Sequence, residues 1–264
     1  TSIHGTVDRG RVTDRMFTVS GTLAGEWKDL AVLFGALSLT KGQSVFGAAD
    51  KPLVVWGQSG TKITFPAGAI TKPPVIVGKA GSTLFGAFEA TCLIANNASA
   101  ALAASYFTIA NQAYPGDPDF DPSTLLTLPL TAAWGEVAPW DAFLTREGWT
   151  ITPQVTLTPE VVDGVGTVDM KVQDVQVTAT AIPAGVTLAQ VLGKLSFGQG
   201  MGAKRATGDD LILSADGVYI ALSDAVMTDS EGAFGDAPLV GATTWEASRK
   251  WLEGAAQPLL SVGT

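Results

Sequence analysis

The chain has 264 residues, of which 46% are hydrophobic and only 16% are charged, so it can bury a sizeable core and is not a disordered protein. Its formal net charge of −9 argues against tight nucleic-acid binding, because phosphate contacts need clustered cations. The charge is uneven: residues 1–80 contain nine Lys/Arg and five Asp/Glu, whereas residues 81–264 contain seven and twenty. This asymmetry favours head-to-tail contacts between copies, and acidic loops that only keep the protein in solution are the alternative.

Residues capable of catalysis or metal binding are scarce. The only cysteine, Cys92, excludes an intrachain disulfide and lies in an apolar strand-like run, where a small core residue is expected. The only histidine, His4, would have to serve any Ser-His-Asp, Cys-His or zinc site. We therefore expect no catalysis, no cofactor and no metal. The longest apolar run, residues 30–37, is too short to span a bilayer, so we expect no membrane insertion and a reducing cytoplasm as the site of synthesis.

The N-terminal 80 residues predict an arm, a strand, a helix and a hairpin. Residues 1–15 are polar without a usable period and predict an extended arm, whose cationic side chains include Arg9, Arg11 and Arg15. Residues 16–26 alternate as a strand, and apolar residues at helical spacing predict a helix over 26–37. Residues 52–66 predict a β-hairpin with its turn at Gln58-Ser59-Gly60.

The middle of the chain predicts strands around a proline-rich and aspartate-rich loop. Residues 113–124 cannot form regular structure, and this loop contains Asp117, Asp119, Phe120 and Asp121. The aspartates have the spacing that opens a calcium loop, but Pro122 stands where that motif requires glycine, so only a looser calcium site remains an alternative. The predicted strands of this region are 75–79, 84–95, 125–134 and 148–159, the last following a turn at Glu147-Gly148.

Residues 166–183 are the most strongly patterned stretch. Val168, Met170 and Val172 alternate with polar residues, which predicts a strand with one apolar face. The alternation then continues out of step from Val175, which predicts a β-bulge with Asp174 as the extra residue. A long bulged strand with one polar face is typical of a curved antiparallel sheet or a barrel wall, so the predicted class is mainly β.

Beyond this strand, the sequence predicts a short helix over 188–195 and a hairpin over 211–227. Trp245, Ser248, Trp251 and Leu252 share a helical face and predict a C-terminal helix. We expect three units: an N-terminal arm over 1–15, a β domain over 16–195 and a C-terminal extension or small decoration domain over 196–264.

Two enzymatic signatures are incomplete or unspecific. Residues 198–204 superficially match a phosphate loop, but Ala203 replaces the glycine before the lysine and Arg205 stands where Ser or Thr should follow. The carboxylate pair of a glycosidase stays possible among 25 acidic residues, and seven tryptophans could serve a sugar platform. Those tryptophans are spread singly, so core or interface anchoring explains them equally well.

Five segments follow one another in the order VSGTLAGEW (19–27), SVFGAADKPLVV (44–55), KITFPAGAITKPP (62–74), TLFGAFEATCLIANN (83–97) and VDGVGTVDMKVQDVQVTATAIPAG (162–185). Together they resemble the tail tube, or major tail, proteins of long-tailed bacteriophages and prophages, and the resemblance covers about residues 10–195. It implies a tail-tube-type β-sandwich or open barrel flanked by an α-helix, with sheets of neighbouring copies joining into a continuous ring barrel.

The resemblance also implies a function and partners. Six copies would form a ring, and rings stacked head to tail would form the tube through which DNA leaves the virion. The expected partners are other copies of the chain, tail terminator and distal tail proteins, and the tape measure protein or DNA in the lumen. Specific nucleic-acid binding is not expected, and the protein would be assembled in the host bacterial cytoplasm into the virion tail.

Family analogy and the residue pattern together suggest candidate contact residues. An acidic lumen would repel phosphates and let DNA slide, and Glu160, Asp163 and Asp169 are the candidates for that wall; exposure outside the tube is the alternative. The arm and the 113–124 loop are the expected contacts between copies or rings. Their candidate residues are Arg9, Arg11, Arg15, Asp117, Asp119, Phe120 and Asp121.

Three other functions stay open. A distal-tail or terminator ring protein of similar fold would differ only in the length of the assembly. A carbohydrate-binding or glycoside-hydrolysing β protein would be a monomer with two close carboxylates in a cleft. A calcium-stabilised surface adhesin would lose thermal stability on chelation.

Overall fold

The computed structural model describes most of the chain as β-structure. The described residues are 2–8, 11–22, 39–46, 52–57, 59–65, 67–79, 86–93, 107–116, 130–163, 166–195, 208–215, 218–233, 239–249 and 259–263. Within them lie fifteen strands and one short helix, so the predicted mainly β class is confirmed.

The strands of the N-terminal half form two small antiparallel sheets. The first is four-stranded, with the order β1-β2-β7-β5, and the second is three-stranded, with the order β3-β4-β8. Phe17 and Cys92 of the first sheet and Phe65 of the second share one buried cluster, so the two sheets pack as a small sandwich. The strand bounds are β1 Ser2–Asp8, β2 Arg11–Thr22, β3 Leu53–Trp56, β4 Thr61–Phe65, β5 Ala67–Lys72, β7 Ala87–Leu93 and β8 Thr108–Asn111.

The remaining strands form a sheet that closes on itself. The hydrogen-bonded order is β11-β14-β13-β12-β9-β10, and β10 also pairs with β11, which completes a six-stranded barrel. The short strands β6 and β15 pair with β10 and β13, and their Ile76 and Leu260 belong to the same buried core. The bounds are β6 Ile76–Gly78, β9 Thr131–Trp134, β10 Phe143–Val162, β11 Gly166–Ala184, β12 Asp209–Ala215, β13 Val218–Ala233, β14 Leu239–Ser248 and β15 Leu260–Gly263.

The barrel encloses a packed core. Alternate residues of its strands, such as Val175, Val177 and Ala179 of β11, are almost fully buried and belong to one hydrophobic cluster. An interior of this size is filled by side chains, so the barrel holds no channel. The barrel closes within one chain. The joining of sheets from neighbouring copies into a continuous ring barrel, which the resemblance implies, stays a prediction.

One helix, α1 (Leu188–Lys194), follows β11 and packs its buried Leu188 and Val191 against the barrel. A capping box starts it: Thr187 Oγ1 accepts a hydrogen bond from the Gln190 amide, and the Gln190 side chain accepts one from the Thr187 amide. The predicted short helix over 188–195 is thus confirmed. The predicted helix over 26–37 lies outside the described residues.

Several predicted strands and turns agree with the structure. β3 and β4 pair as the hairpin predicted over 52–66, and β12 and β13 as the hairpin predicted over 211–227. The predicted bulge in β11 is present, but its position differs by one residue. Thr156 faces Asp174 and Leu157 faces Val172, so the extra residue is Gln173.

Four predictions are wrong. The arm over 1–15 is mostly paired, because β1 and β2 form an antiparallel hairpin. The turn predicted at Glu147-Gly148 is an irregularity inside β10, which pairs with β11 on both sides of it. Trp245 and Ser248 lie on strand β14 and not on a helix, while Trp251 and Leu252 lie outside the described residues. The boundary at residue 196 divides the barrel, since β12–β14 complete it.

Cys92 is buried in the sandwich core with 1% of its surface exposed, as its predicted core role requires. Burial raises the pKa of its thiol from 9.0 to about 11.

We expect the folded protein to react with a thiol reagent at pH 8 at least about a hundredfold more slowly than the urea-unfolded protein, because only the accessible thiolate reacts. The unfolded state ionises first as pH rises above 9.0, so Cys92 also makes stability fall between that pH and about 11. Equal labelling rates for folded and unfolded protein would contradict this.

Candidate functional site

The longest hairpin of the structure extends beyond the barrel. β10 and β11 pair over almost their whole length, but β6 pairs only with Trp149–Ile151 of β10 and β14 only with Gln176–Ala181 of β11. Residues 154–162 and 166–174 therefore continue past the flanking strands as a two-stranded extension, called the ribbon below. The ribbon is not isolated, since its Val172 is buried in the main core and β10 and β11 also contact β2, β5 and β7. Seven residues of β10 pair within it, from Thr156 to Val162. At about 3.3 Å per residue, they span roughly 23 Å.

The ribbon carries an ion pair near its tip. Glu160 faces Asp169 across the strands, and Lys171 Nζ lies 2.6 Å from Glu160 Oε2. The hydrogen bond to Glu160, together with the charge of that carboxylate, raises the pKa of Lys171. Both side chains are almost half exposed, so water screens the pair and it contributes little to stability. It does reduce the negative charge of this surface.

Asp169 has a structural role in the ribbon. Its Oδ1 accepts hydrogen bonds from Ser44 Oγ at 2.5 Å and from the Met170 amide at 2.7 Å. Ser44 belongs to the segment 42–45, whose backbone hydrogen-bonds to Met170 and Val172. This segment therefore covers the outer edge of β11, and Asp169 holds it there.

The three predicted lumen residues come together at one end of the ribbon. Glu160 and Asp169 are opposite each other, and Asp163 is exposed just after β10. Of the predicted contact residues, Arg11 and Arg15 lie on β2, where the structure describes the backbone only. The others lie outside the described residues: Arg9, Asp117, Asp119, Phe120 and Asp121.

A second candidate site is a cavity of about 620 Å³ between β9, α1 and the β12–β13 pair. One wall is the indole of Trp134, whose Nε1 donates to the Ala225 carbonyl at 2.9 Å. The Lys194 ammonium lies 5.2 Å from the centre of that indole, so it covers the ring by a cation–π contact. The charged side chains of the lining are Glu136, Asp209, Asp210, Asp224 and Lys194.

Two of these carboxylates, those of Asp210 and Asp224, accept hydrogen bonds from backbone amides. Asp224 has a left-handed backbone with φ 52°, and its Oδ1 accepts from the Gly208 amide at 3.0 Å. Its own amide donates to Asp210 Oδ1 at 3.2 Å. Glu136 and Asp209 are exposed in the same cavity. The arrangement can attract a cation or hydrogen-bond a polar ligand.

The sequence analysis missed this cavity. Glu136 and the Asp209-Asp210 pair are more than seventy residues apart in the chain, and the β9–β12 pairing brings them together. The Asp209-Asp210 doublet next to a predicted hairpin was the only local signal, and a doublet of acids is common on any surface. Tertiary pairing was needed to find this site.

Metal ligands, membrane-spanning helices and known relatives do not identify a function for this chain. Among the described residues, no group of three or more His, Cys, Asp or Glu side chains is placed to hold a metal ion. The helical part of the described structure contains no segment with the length and hydropathy of a membrane span. No protein-family model matches the chain, and no curated protein shows significant similarity to it.

Proposed function

We propose that the protein is a structural component of a bacteriophage tail, which self-assembles into stacked hexameric rings that form the tail tube. The tube would be assembled in the host bacterial cytoplasm and would conduct DNA during ejection. Tail terminator, distal tail and tape measure proteins are its proposed partners. The proposal starts from the resemblance of residues 10–195 to tail tube proteins, and the ribbon is the structural observation that best supports it.

The ribbon supports assembly because its exposed end offers a surface that another copy could cover. Two-stranded β-structure is marginally stable in water, and an uncovered strand edge invites pairing with another chain. The ribbon also exposes apolar side chains at its tip, since Val161 and Val162 are 61% and 44% exposed. Contacts between copies would cover these surfaces and stabilise the projection.

The packed barrel limits where a lumen can lie. Because its interior is filled by side chains, a conduit must be bounded by the outer surfaces of several copies. The ribbon contains four carboxylates and one ammonium over residues 154–174, so it is an acidic surface that could face such a conduit. DNA would then slide without binding, because the wall repels phosphates.

Electron microscopy tests the proposal directly. We expect negative-stain images of the purified protein, taken over a concentration series, to contain hollow rings or tubes of uniform width. Light scattering on the same samples should give masses that are multiples of six chains. Particles that stay monomeric at every concentration, including after addition of distal tail protein as an initiator, would contradict the proposal.

Carbohydrate binding or hydrolysis is a second candidate function, favoured by the cavity beside Trp134. A tryptophan next to several carboxylates suits a sugar ligand. This function predicts a monomer whose glycan binding or turnover is lost in Asp209→Asn. Against it, Trp134 is only 4% exposed and Lys194 covers its ring, so the indole offers little surface to a sugar.

A further inference from the structure

Strand β8 forms an exposed end of the three-stranded sheet. It pairs with β4 on one side, and no other described strand pairs with it. All residues from 108 to 116 are exposed, and the side of β8 includes Ile109, which is 62% exposed although it is apolar. The outer edge of β11, by contrast, is covered by residues 42–45. The edge of β8 is therefore accessible to another chain.

The hydrogen-bonding pattern shows which backbone groups of β8 face this edge. The Gln112 amide donates to the Gly60 carbonyl at 2.7 Å, so Gln112 directs its backbone toward β4. Backbone direction alternates along an antiparallel strand, so Ala110 also faces β4, whereas Ile109 and Asn111 face away from it. No described residue hydrogen-bonds to the N–H and C=O groups of Ile109 and Asn111. These groups can pair with one more strand.

The edge also lacks the features that normally keep a strand from pairing with a copy of itself. Residues 107–114 contain no charged residue and no proline. Among the residues of β3, β4 and β8, only Lys62 is charged. Its Nζ lies 4.9 Å from the centre of the Trp56 ring on β3 and donates to Gln112 Oε1 at 3.2 Å. Two copies of β8 therefore meet no like charge on the strand with which they pair.

We propose that β8 pairs with β8 of a second copy of this chain, antiparallel and about a two-fold axis at Ile109. Ile109 then faces Ile109 of the other copy, and Thr108 faces Ala110. This register covers the exposed Ile109 side chains with each other and joins the two three-stranded sheets into one sheet of six strands. Ile109 pairs with Ile63, which packs against the sandwich core, so the contact extends the apolar face of that sheet.

The contact is small, so the dimer should be weak. Two short strands bury much less surface than the roughly 1,200–2,000 Å² of a stable interface, and we expect a dissociation constant on the order of 0.1 mM. A two-fold contact cannot recur inside rings that are stacked head to tail, because all copies there point in one direction. The inference therefore concerns the unassembled protein and goes beyond the proposed function.

Disulfide trapping tests the register. Ile109→Cys should give a reducible band of twice the chain mass after mild oxidation, because a hydrogen-bonded antiparallel pair places its Cα atoms about 5.5 Å apart. Thr108→Cys and Ala110→Cys are matched controls, and each alone should give no such band, since the two copies of either residue would lie about 8 Å apart. A mixture of these two variants should crosslink, because Thr108 of one copy faces Ala110 of the other. Cys92 is buried and does not interfere.

A charge pair tests the same contact without a crosslink. Ile109→Lys and Ile109→Glu should each raise the dissociation constant, measured by sedimentation equilibrium, at least about tenfold, because like charges would face each other at the axis. An equimolar mixture should restore a dimer with one copy of each variant. Val137→Lys, at an apolar side chain that is 68% exposed, is the matched control and should leave dimerisation unchanged. All three variants should keep the wild-type urea midpoint, since the replaced side chains are exposed.

The outcomes separate this contact from the proposed function. Rings or tubes from a protein whose Ile109→Cys variant gives no crosslink would overturn the dimer and leave the tail proposal standing. A crosslinked, charge-dependent dimer that forms no rings at any concentration would support the contact and contradict the tube. A wild-type protein that stays monomeric up to about 1 mM, or a dimer that Ile109→Lys does not weaken, would overturn the contact.

Discussion

Replacing Trp245 with alanine should lower the free energy of unfolding by about 3–5 kcal/mol, the usual cost of deleting a large buried aromatic side chain. Trp245 is fully buried on β14. Its ring centre lies 6.2 Å from that of Trp134, 6.3 Å from that of Trp140 and 6.0 Å from that of Phe143. These residues come from β9, β10 and the connection between them. The substitution therefore opens a cavity where the barrel closes.

Urea denaturation followed by far-ultraviolet circular dichroism measures this loss without relying on tryptophan fluorescence. Trp245→Phe is the matched control, and it should cost less than about 1.5 kcal/mol. Phenylalanine keeps most of the aromatic contact and removes a buried indole N–H that has no hydrogen-bond acceptor among the described residues. A loss below about 1.5 kcal/mol for Trp245→Ala would mean that the aromatic cluster does not hold the barrel together.

Replacing Gly148 with alanine should destabilise the protein by about 3 kcal/mol or more, through backbone strain and a steric clash. Gly148 has φ +85°, and a Cβ atom there would lie 1.9 Å from the carbonyl oxygen of Gly78. A backbone atom cannot rotate away, so the β6–β10 pairing would have to shift. The expected result is a lower urea midpoint with the slope of the transition preserved.

The substitution Gly185→Ala distinguishes the effect of backbone strain from the effect of the steric clash. Gly185 has a similar φ of +82°, but a Cβ atom there would meet no atom of the described part of the chain within 4 Å. Its substitution should cost only about 1–2 kcal/mol, which is the strain of the left-handed backbone alone. Equal losses at the two glycines would show that the approach to Gly78 does not matter for stability.

The candidate sites differ in how far the sequence predicted them. The alternation and bulge of β11 predicted a long curved strand, and Asp169 and Glu160 were chosen from its polar face and the neighbouring strand. Glu160 and Asp169 lie close together because β10 and β11 form one hairpin, in which the paired residues are near each other in the sequence. The ion pair between Glu160 and Lys171 was not predicted, because it depends on a diagonal cross-strand contact. The acidic cavity was not predicted at all, since its parts meet only by barrel closure.

Near the C-terminal end, the spacing of apolar residues fits both the period of a strand and the period of a helix. Thr243, Trp245 and Ala247 are buried on alternate positions of β14, which is a strand signal. The spacing of Trp245, Ser248 and two later apolar residues also fits a helical face, and that interpretation was wrong. Pairing with β11 and β13 on its two sides decided the strand. Hydrogen bonds to distant strands outweighed local propensity.

The sequence by itself determined the β class, the hairpins around short glycine-containing turns, the short helix after Pro183 and the long bulged strand, because each depends on side-chain period or turn chemistry within about twenty residues. Only the tertiary structure decided that residues 131–162 and 209–248 close one barrel, that Gly148 lies inside a strand and that residues 196–264 contribute strands to that barrel. Those features depend on pairing between segments far apart in the chain. Many registers are locally acceptable there, and burial of the shared core selects one of them.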